Sequence, residues 1–356
     1  MSRSDATDEN GGPLLKGFGL THIAKLIGRV QGIWRWPFAI LLGALAALSM
    51  APVASLFALI VSLSCFVWLM DGSADKGAIL WKSAAALGWC YGFGYFLAGL
   101  YWVGYAFLVD ADFFAWMIPF VIVLLPAGLA LFMALATLIA GRYWARGVAR
   151  LAVLTIALSV TEWLRGHILT GFPWNVMGYA WADYLEISQS VSLIGTYGLT
   201  VLTLWICVSP AAFATGAAQG ERPWRWPVLS FVIVACLWGF GAYRLNTVPT
   251  EYVDAAKLRL VQPSIPQAEK WAPGNGQRIL DLYLELTAAD GFEGISHVIW
   301  PEAAVPYRLA SRPDVVRVIT DVIGPDRVLL TGSVRAGYEP SAPQDIKFYN
   351  ALHVIQ

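Results

Sequence analysis

Three short strings carry the side chains best suited to chemistry. Trp300-Pro301-Glu302 closes a short apolar run that begins at His297. A carboxylate at the C-terminal end of a buried strand lies where open α/β sheets present catalytic groups. Trp300 and Pro301 beside it would partly desolvate Glu302, which suits a general base. A strand-terminal glutamate making a turn or cap bond fits the same pattern equally well. The second string, Gln267-Ala268-Glu269-Lys270-Trp271, follows a strand signature ending in Val261-Gln262-Pro263. Its Trp271 reads either as a wall or lid against an acyl chain or as a loop aromatic at a membrane interface. The third is Thr161-Glu162-Trp163-Leu164-Arg165-Gly166, followed by Gly171-Phe172-Pro173-Trp174-Asn175. Glu162 and Arg165 lie three apart, so a helix puts them on one face as an ion pair. A structural pair holding an outer loop is favoured there over an intramembrane functional group.

Other chemistries find no residues. Cys65, Cys90, Cys207 and Cys236 sit in long apolar runs without the polar neighbours that favour a thiolate, and they read as buried thiols. His22, His167, His297 and His353 are scattered and make no metal set. No phosphate-binding loop, dinucleotide fingerprint, zincin motif or nucleophile elbow occurs, so neither a metal nor a cofactor is expected.

The elements that must position these strings belong to a membrane protein. Of 356 residues, 58% are hydrophobic and only 13% charged, with 17 tryptophans. A soluble domain is about a quarter charged and less than half apolar. The 24 basic and 24 acidic side chains balance, which argues against a nucleic-acid partner, since that needs a basic field.

A helix crosses the hydrocarbon core in about 20 apolar residues. Seven candidate spans are legible, at 34–50, 53–70, 83–108, 113–140, 151–164, 191–214 and 226–243. Before them, residues 1–12 read as a polar tail and 14–30 as an amphipathic helix on the membrane surface, carrying Lys16, Lys25 and Arg29. With the N-terminus in the cytoplasm, the inner segments hold Arg3, Lys16, Lys25, Arg29, Arg35, Lys76, Lys82, Arg142, Arg146, Arg150, Arg222 and Arg225. The short outer loops then hold Arg165 beside Asp110, Asp112, Asp183 and Glu186. Positive charge marks the cytoplasmic side, so an odd number of spans puts everything after Tyr243 outside, in the periplasm of a bacterium.

From about Val253 the composition changes. Strand signatures at 257–261, 297–300, 327–330 and 348–355 alternate at first with helical periodicity at 277–289 and 313–323. That is the order of an α/β layered domain. The sequence reaches Gln356 in or just after a strand, so the domain is expected to be one part of a larger sheet structure. Three regions follow: 1–33, cytoplasmic tail and interfacial helix; 34–246, transmembrane bundle; and 253–356, the partial α/β domain.

Taken together and in this order, Glu162-Trp163-Leu164-Arg165-Gly166, Gly171-Phe172-Pro173-Trp174, the 267–271 string, Trp300-Pro301-Glu302 and Tyr349-Asn350-Ala351 resemble the apolipoprotein N-acyltransferases of bacterial inner membranes. The resemblance runs from about Trp34 to the last residue. It implies a membrane α-helical bundle followed by a periplasmic carbon–nitrogen hydrolase (nitrilase-like, α-β-β-α sandwich) domain. It also implies transfer of an acyl chain from a phospholipid, phosphatidylethanolamine-like, to the α-amino group of the S-diacylglyceryl cysteine of an apolipoprotein. Glu302 matches the family's catalytic glutamate, the proton acceptor, and Trp271 its functionally important tryptophan. The family's catalytic Lys and Cys follow the Tyr-Asn motif and match nothing in these 356 residues, and Lys347 precedes that motif. The family's eighth span is likewise unmatched. The resemblance therefore implies a C-terminally truncated, inactive portion of the enzyme.

In the whole enzyme a thiolate would attack the phospholipid ester, and the lipoprotein amine would then attack the resulting thioester. A membrane-tethered nitrilase or amidase would share Glu302, although the aromatic outer loop favours a lipid substrate. A transporter is the remaining alternative, and Glu162 is the one clear acidic candidate inside the spans.

Overall fold

A computed structural model describes residues 19–75, 78–144, 147–214, 222–339 and 342–356. The expected polar tail, and the basic residues Arg3, Lys16, Lys76 and Arg146, lie outside the described residues. The chain divides into two compact units, Met1–Pro249 and Thr250–Gln356.

The first unit is helical. Its helices are α1 (Leu20–Gly28), α2 (Arg35–Ala47), α3 (Leu56–Asp71), α4 (Trp81–Leu100), α5 (Ala111–Phe114), α6 (Ile118–Arg142), α7 (Ala149–His167), α8 (Leu185–Ser188), α9 (Val191–Val208) and α10 (Arg225–Thr247). A two-residue hairpin, β1 (Ala74–Asp75) with β2 (Ala78–Ile79), joins α3 to α4. The core is apolar and aromatic: Leu59, Leu63, Phe66, Leu87, Tyr91, Tyr95 and Phe96 are all fully buried. The outer surface is apolar as well. Leu41, Phe57, Leu124, Leu131 and Phe231 are each more than 60% exposed, and α10 buries only Ser230 and Gly241. Water disfavours such a surface and lipid does not, so this is the surface of a membrane domain.

Among the described residues, three stretches can cross a bilayer by length and composition alone: Ala111–Arg142, Val191–Ala214 and Arg225–Thr247. Leu20–Gly28 with Gly32–Ala47 makes a fourth if that pair, bent by 111°, counts as one span. The seven stretches expected from hydropathy all fall on helices, but several miss that stricter measure for visible reasons. α3 is 16 residues long. α7 carries Arg150, Glu162 and Arg165. The paired charges of α7 explain how a charged helix sits in an apolar bundle. Arg150 donates from Nε to Asp71 Oδ1 at 2.7 Å and from Nη2 to Asp71 Oδ2 at 3.0 Å, and Trp144 Nε1 donates to Oδ1 at 3.0 Å. This ties the start of α7 to the end of α3.

Close helix contact comes from small residues. A Cβ built on Gly94 of α4 would lie 2.0 Å from the Ile40 carbonyl oxygen of α2, and one on Gly43 of α2 would lie 1.9 Å from that of Tyr91. Ala98, one turn beyond Gly94, is exposed.

The second unit is α/β. Its strands are β3 (Leu258–Leu260), β4 (His297–Ile299), β5 (Val328–Glu339) and β6 (Ala342–Ile355), in sheet order β3-β4-β5-β6. β3, β4 and β5 run parallel, and β6 returns antiparallel along β5. Helices α11 (Gln267–Lys270) and α12 (Gly276–Ala288) connect β3 to β4, and α13 (Pro313–Ile323) connects β4 to β5. Parallel strands need such crossovers. α12 buries Ile279, Leu280 and Tyr283, spaced at one helical face, and α13 buries Val315, Ile319 and Ile323. They pack with Val298 of β4 and Leu329 of β5 in one core. Pro313 opens α13, and the Arg312 guanidinium beside Asp314 holds that carboxyl down at about 2.

Candidate active site

The α/β unit concentrates its unusual backbone at one place. β3 and β4 lie side by side and parallel, so the segments that follow their C-terminal ends emerge together. Each contains a non-glycine residue in the left-handed region: Ser264 at φ 53° after β3 and Ala303 at φ 48° after β4. Such conformations are strained and gather at functional sites. Glu302 immediately precedes Ala303.

Side-chain alternation along a strand sends neighbours to opposite sides. Val298 and Trp300 face the core, where the Trp300 ring lies tilted by 41° at 4.8 Å from that of Tyr283 and donates from Nε1 to Thr287 Oγ1 at 2.9 Å. Glu302 is exposed. Trp300 therefore anchors the strand end and does not cover the carboxylate, contrary to the expectation that it would help desolvate Glu302.

The glutamate is instead positioned from β5 and β6. Asn350 Nδ2 donates a hydrogen bond to Glu302 Oε1. Asn350 pairs with Val334 across the β5–β6 ladder. Two positions along β5, Gly332 lets the Glu302 backbone come close, since a Cβ there would lie 2.9 Å from the Glu302 Cα. A larger residue at 332 would displace the strand end that carries the acid.

Glu302 lines two cavities. One, of about 330 Å³, is bounded by Trp300, Gly332, Asn350, Ala351 and Leu352 as well. The other, of about 230 Å³, lies between the two strand ends and is lined by Gln262, Ser264, Ile265, Gln267, Lys270, Tyr283, Pro301 and Ala304. Burial pushes the Lys270 ammonium below the ordinary lysine range, and the charge of Glu302 pulls it partly back. Burial also pushes the Tyr283 phenol up.

Of the two residues expected to form the site, the structure brings Glu302 into both cavities. Trp271 lines neither; it is half-exposed just past α11, with its ring 5.9 Å from the Lys270 ammonium. Lys270 and Asn350 stand within the 267–271 and 349–351 strings, and the sequence alone assigns neither a role. Asn350 carried a signal in its Tyr-Asn string. Its partner stands 48 residues earlier and becomes a neighbour only through strand pairing. Lys270 had none beyond its place beside Trp271.

The ion pair expected at Glu162 and Arg165 is formed, and both side chains are buried. Arg165 Nη2 donates to Glu162 Oε1 at 3.2 Å, and its Nη1 donates to the carbonyls of Phe172 and Trp174. Glu162 Oε2 accepts from the Met177 backbone N–H at 3.1 Å. The pair thus fastens the 172–177 loop onto α7.

Comparison with known proteins adds three findings. Residues 42–209 match the family described as apolipoprotein N-acyltransferase N-terminal domain. A protein of Rhodopseudomonas palustris named apolipoprotein N-acyltransferase is 40% identical over 342 residues, covering 94% of this chain and 64% of its own length. Proteins of the same name from Agrobacterium fabrum and Bradyrhizobium diazoefficiens are 38% and 40% identical, covering 93% and 94% of this chain and again 64% of theirs. The chain thus spans a little under two thirds of the length of these relatives.

Proposed function

The chain belongs to the apolipoprotein N-acyltransferase family, and from that membership we propose that the protein carrying it transfers an acyl chain from a membrane phospholipid to the N-terminal S-diacylglyceryl cysteine of apolipoproteins. Glu302 is the proton acceptor. The observation that carries this reading is an exposed carboxylate at the C-terminal end of β4, fixed by Asn350 and opening on two cavities.

The proposed reaction has two halves. Glu302 takes the proton of the family's catalytic thiol, and the thiolate attacks the carbonyl carbon of the phospholipid ester. The tetrahedral oxyanion collapses, the lysophospholipid leaves as an alcohol with the proton returned by Glu302, and the acyl group stays as a thioester. The lipoprotein's α-amino group then attacks the thioester carbonyl. Glu302 takes the amine proton, an amide forms and the thiol is regenerated. A donor that stabilises the oxyanion in both halves is the role proposed for the family's lysine.

In this reading residues 34–246 form the bundle in the bacterial inner membrane. It makes seven crossings with the N-terminus cytoplasmic. Residues 253–356 belong to a periplasmic nitrilase-like domain. Apolar outer surface and charge asymmetry support the arrangement. Trp271, half-exposed beyond α11, is proposed to contact an acyl chain.

The test replaces Glu302 with Gln in the complete reading frame and measures acyl-thioester formation from phosphatidylethanolamine. A neutral amide keeps the shape and cannot accept the thiol proton, so the thioester should fall by about 10²–10⁴-fold. Thioester accumulating at the normal rate in that variant would remove Glu302 from the mechanism.

A further inference from the structure

At one end of the helical unit, α4 begins where α6 ends. A Cβ built on Gly141 of α6 would lie 2.7 Å from the Ala84 Cβ of α4, so the two helices touch there. Beside that contact opens a cavity of about 600 Å³, larger than either cavity at Glu302. Leu80, Leu138 and Ile139 give it apolar walls, Trp81 and Tyr143 add aromatic rings, and Arg142 adds a charge. The Arg142 guanidinium lies 5.7 Å from the centre of the Tyr143 ring. Lys82 joins it, with its ammonium 5.4 Å from the centre of the Trp81 ring. Both cations thus sit over rings that line the cavity.

Among the described residues, no carboxylate lines this cavity, and neither Lys82 nor Arg142 forms an ion pair. A third cation reaches the same turn of α4. Arg35 of α2 donates from Nη1 to Ser83 Oγ at 3.0 Å, and its buried Nε has no hydrogen-bond partner. The first turn of α4 adds to the positive field, since no side chain caps its N–H groups. Positive charge without a protein counterion, beside an apolar groove rimmed by aromatic rings, suits an anion that carries its own hydrocarbon. A zwitterionic head group would bring an ammonium for which the groove has no acidic partner. We propose that this groove binds an anionic phospholipid, with its phosphate held by Arg142 and Lys82 and an acyl chain along Leu80, Leu138 and Ile139.

The depth of the groove fits that ligand. Trp and Tyr rings settle at head-group level, and long basic side chains reach out of the hydrocarbon to the same level. Trp81, Lys82, Arg142 and Tyr143 are all exposed, as a site open sideways to lipid requires. Strand β2 leads into the groove at Ile79 and Leu80, so a bound lipid would also fasten the α3–α4 connection to α6. The site lies within the helical unit and shares no residue with the cavities at Glu302. Its ligand class follows from these side chains alone. Its place in the cytoplasmic leaflet rests on the proposed topology, in which Lys82 and Arg142 belong to inner segments.

The test titrates short-chain phosphatidylglycerol and phosphatidylcholine separately into the detergent-purified chain and counts bound lipid by native mass spectrometry. A basic side chain near an anionic head group contributes about fivefold, so two should favour phosphatidylglycerol by roughly 25-fold. Lys82→Gln with Arg142→Gln should bring phosphatidylglycerol down to the phosphatidylcholine affinity, with the lipid-free thermal midpoint unchanged. Lys82→Arg with Arg142→Lys keeps both charges and should keep the preference. Arg222→Gln removes an exposed cation elsewhere in the unit and should keep it as well. Equal wild-type affinities for the two lipids, or a preference that survives the double Gln variant, would overturn the proposal. So would a loss in the charge-keeping variant, or a loss in Arg222→Gln as large as in the double Gln variant, which would mark diffuse surface charge. Inorganic phosphate is the third probe. Phosphate that binds as tightly as the lipid and with the same dependence on Lys82 and Arg142 would replace the lipid by a free anion. An inverted topology would move the site to the other leaflet and leave the lipid preference as it is, so the two readings fail separately.

Discussion

A buried charge reveals its role by what it leaves behind when its partner is removed. Arg165 satisfies Glu162 and the carbonyls of Phe172 and Trp174 at once, in a place that water does not reach. Replacing it with Met strands a carboxylate and two carbonyls. Breaking a buried pair from one side costs about 3–5 kcal/mol, so Arg165→Met should lower the thermal midpoint of the detergent-solubilised protein by several degrees. The double variant Glu162→Gln with Arg165→Met should recover part of the loss. A single variant that unfolds at the wild-type temperature would show that the 172–177 loop is held by something else. This pair was legible in the sequence because its spacing of three is a local, helical fact. Glu302 was legible for a similar reason, since an apolar run that stops at Pro301 marks a strand end. The hydrogen bond from Asn350 and the charge of Lys270 were not, because each depends on which strands lie side by side.

Elements repeat that contrast between local and paired order. α12, α13 and the short parallel strands follow the periodicity expected of them nearly to the residue, since each buries one clear apolar face or run. β5 and β6 run far longer than the expected 327–330 and 348–355, to 12 and 14 residues. Gly332 and Gly337 interrupt the apolar alternation of β5, and ladder pairing supplies the order that side-chain pattern does not. Among the helices, contact distance matters more than hydrophobicity. Because a Cβ at Gly94 would overlap the Ile40 carbonyl, Gly94→Ala must push α2 away from α4. Overpacking of this kind costs about 1–3 kcal/mol. Gly128 on α6 has nothing within 4 Å of its missing Cβ, so Gly128→Ala should be neutral or stabilising by up to about 1 kcal/mol. Thermal unfolding of the two variants side by side checks this. Equal midpoints would mean that α2 and α4 are not packed through Gly94.

At the scale of the whole molecule, the claim that follows from charge alone is orientation. Among the described residues, length and composition license three or four crossings, whereas the positive residues of the sequence cluster on alternate connections as the seven proposed crossings require. An odd number separates the two chain ends, and an even number leaves them on one side. Thr21 in α1 and Glu251, just after the helical unit, are both exposed and make suitable reporters. In intact cells a membrane-impermeant maleimide that passes the outer membrane should label Glu251→Cys and spare Thr21→Cys. Opening the inner membrane should label both, with the native thiols, of which Cys236 is exposed, setting the background. If both cysteines react in intact cells, or neither does, the number of crossings is even. The α/β unit would then share a compartment with the N-terminus, against the periplasmic placement that the acylation proposal requires of Glu302. That outcome would overturn the acylation proposal even with the site geometry unchanged, because the chemistry requires the acid and both lipid-anchored substrates on the same face of the bilayer.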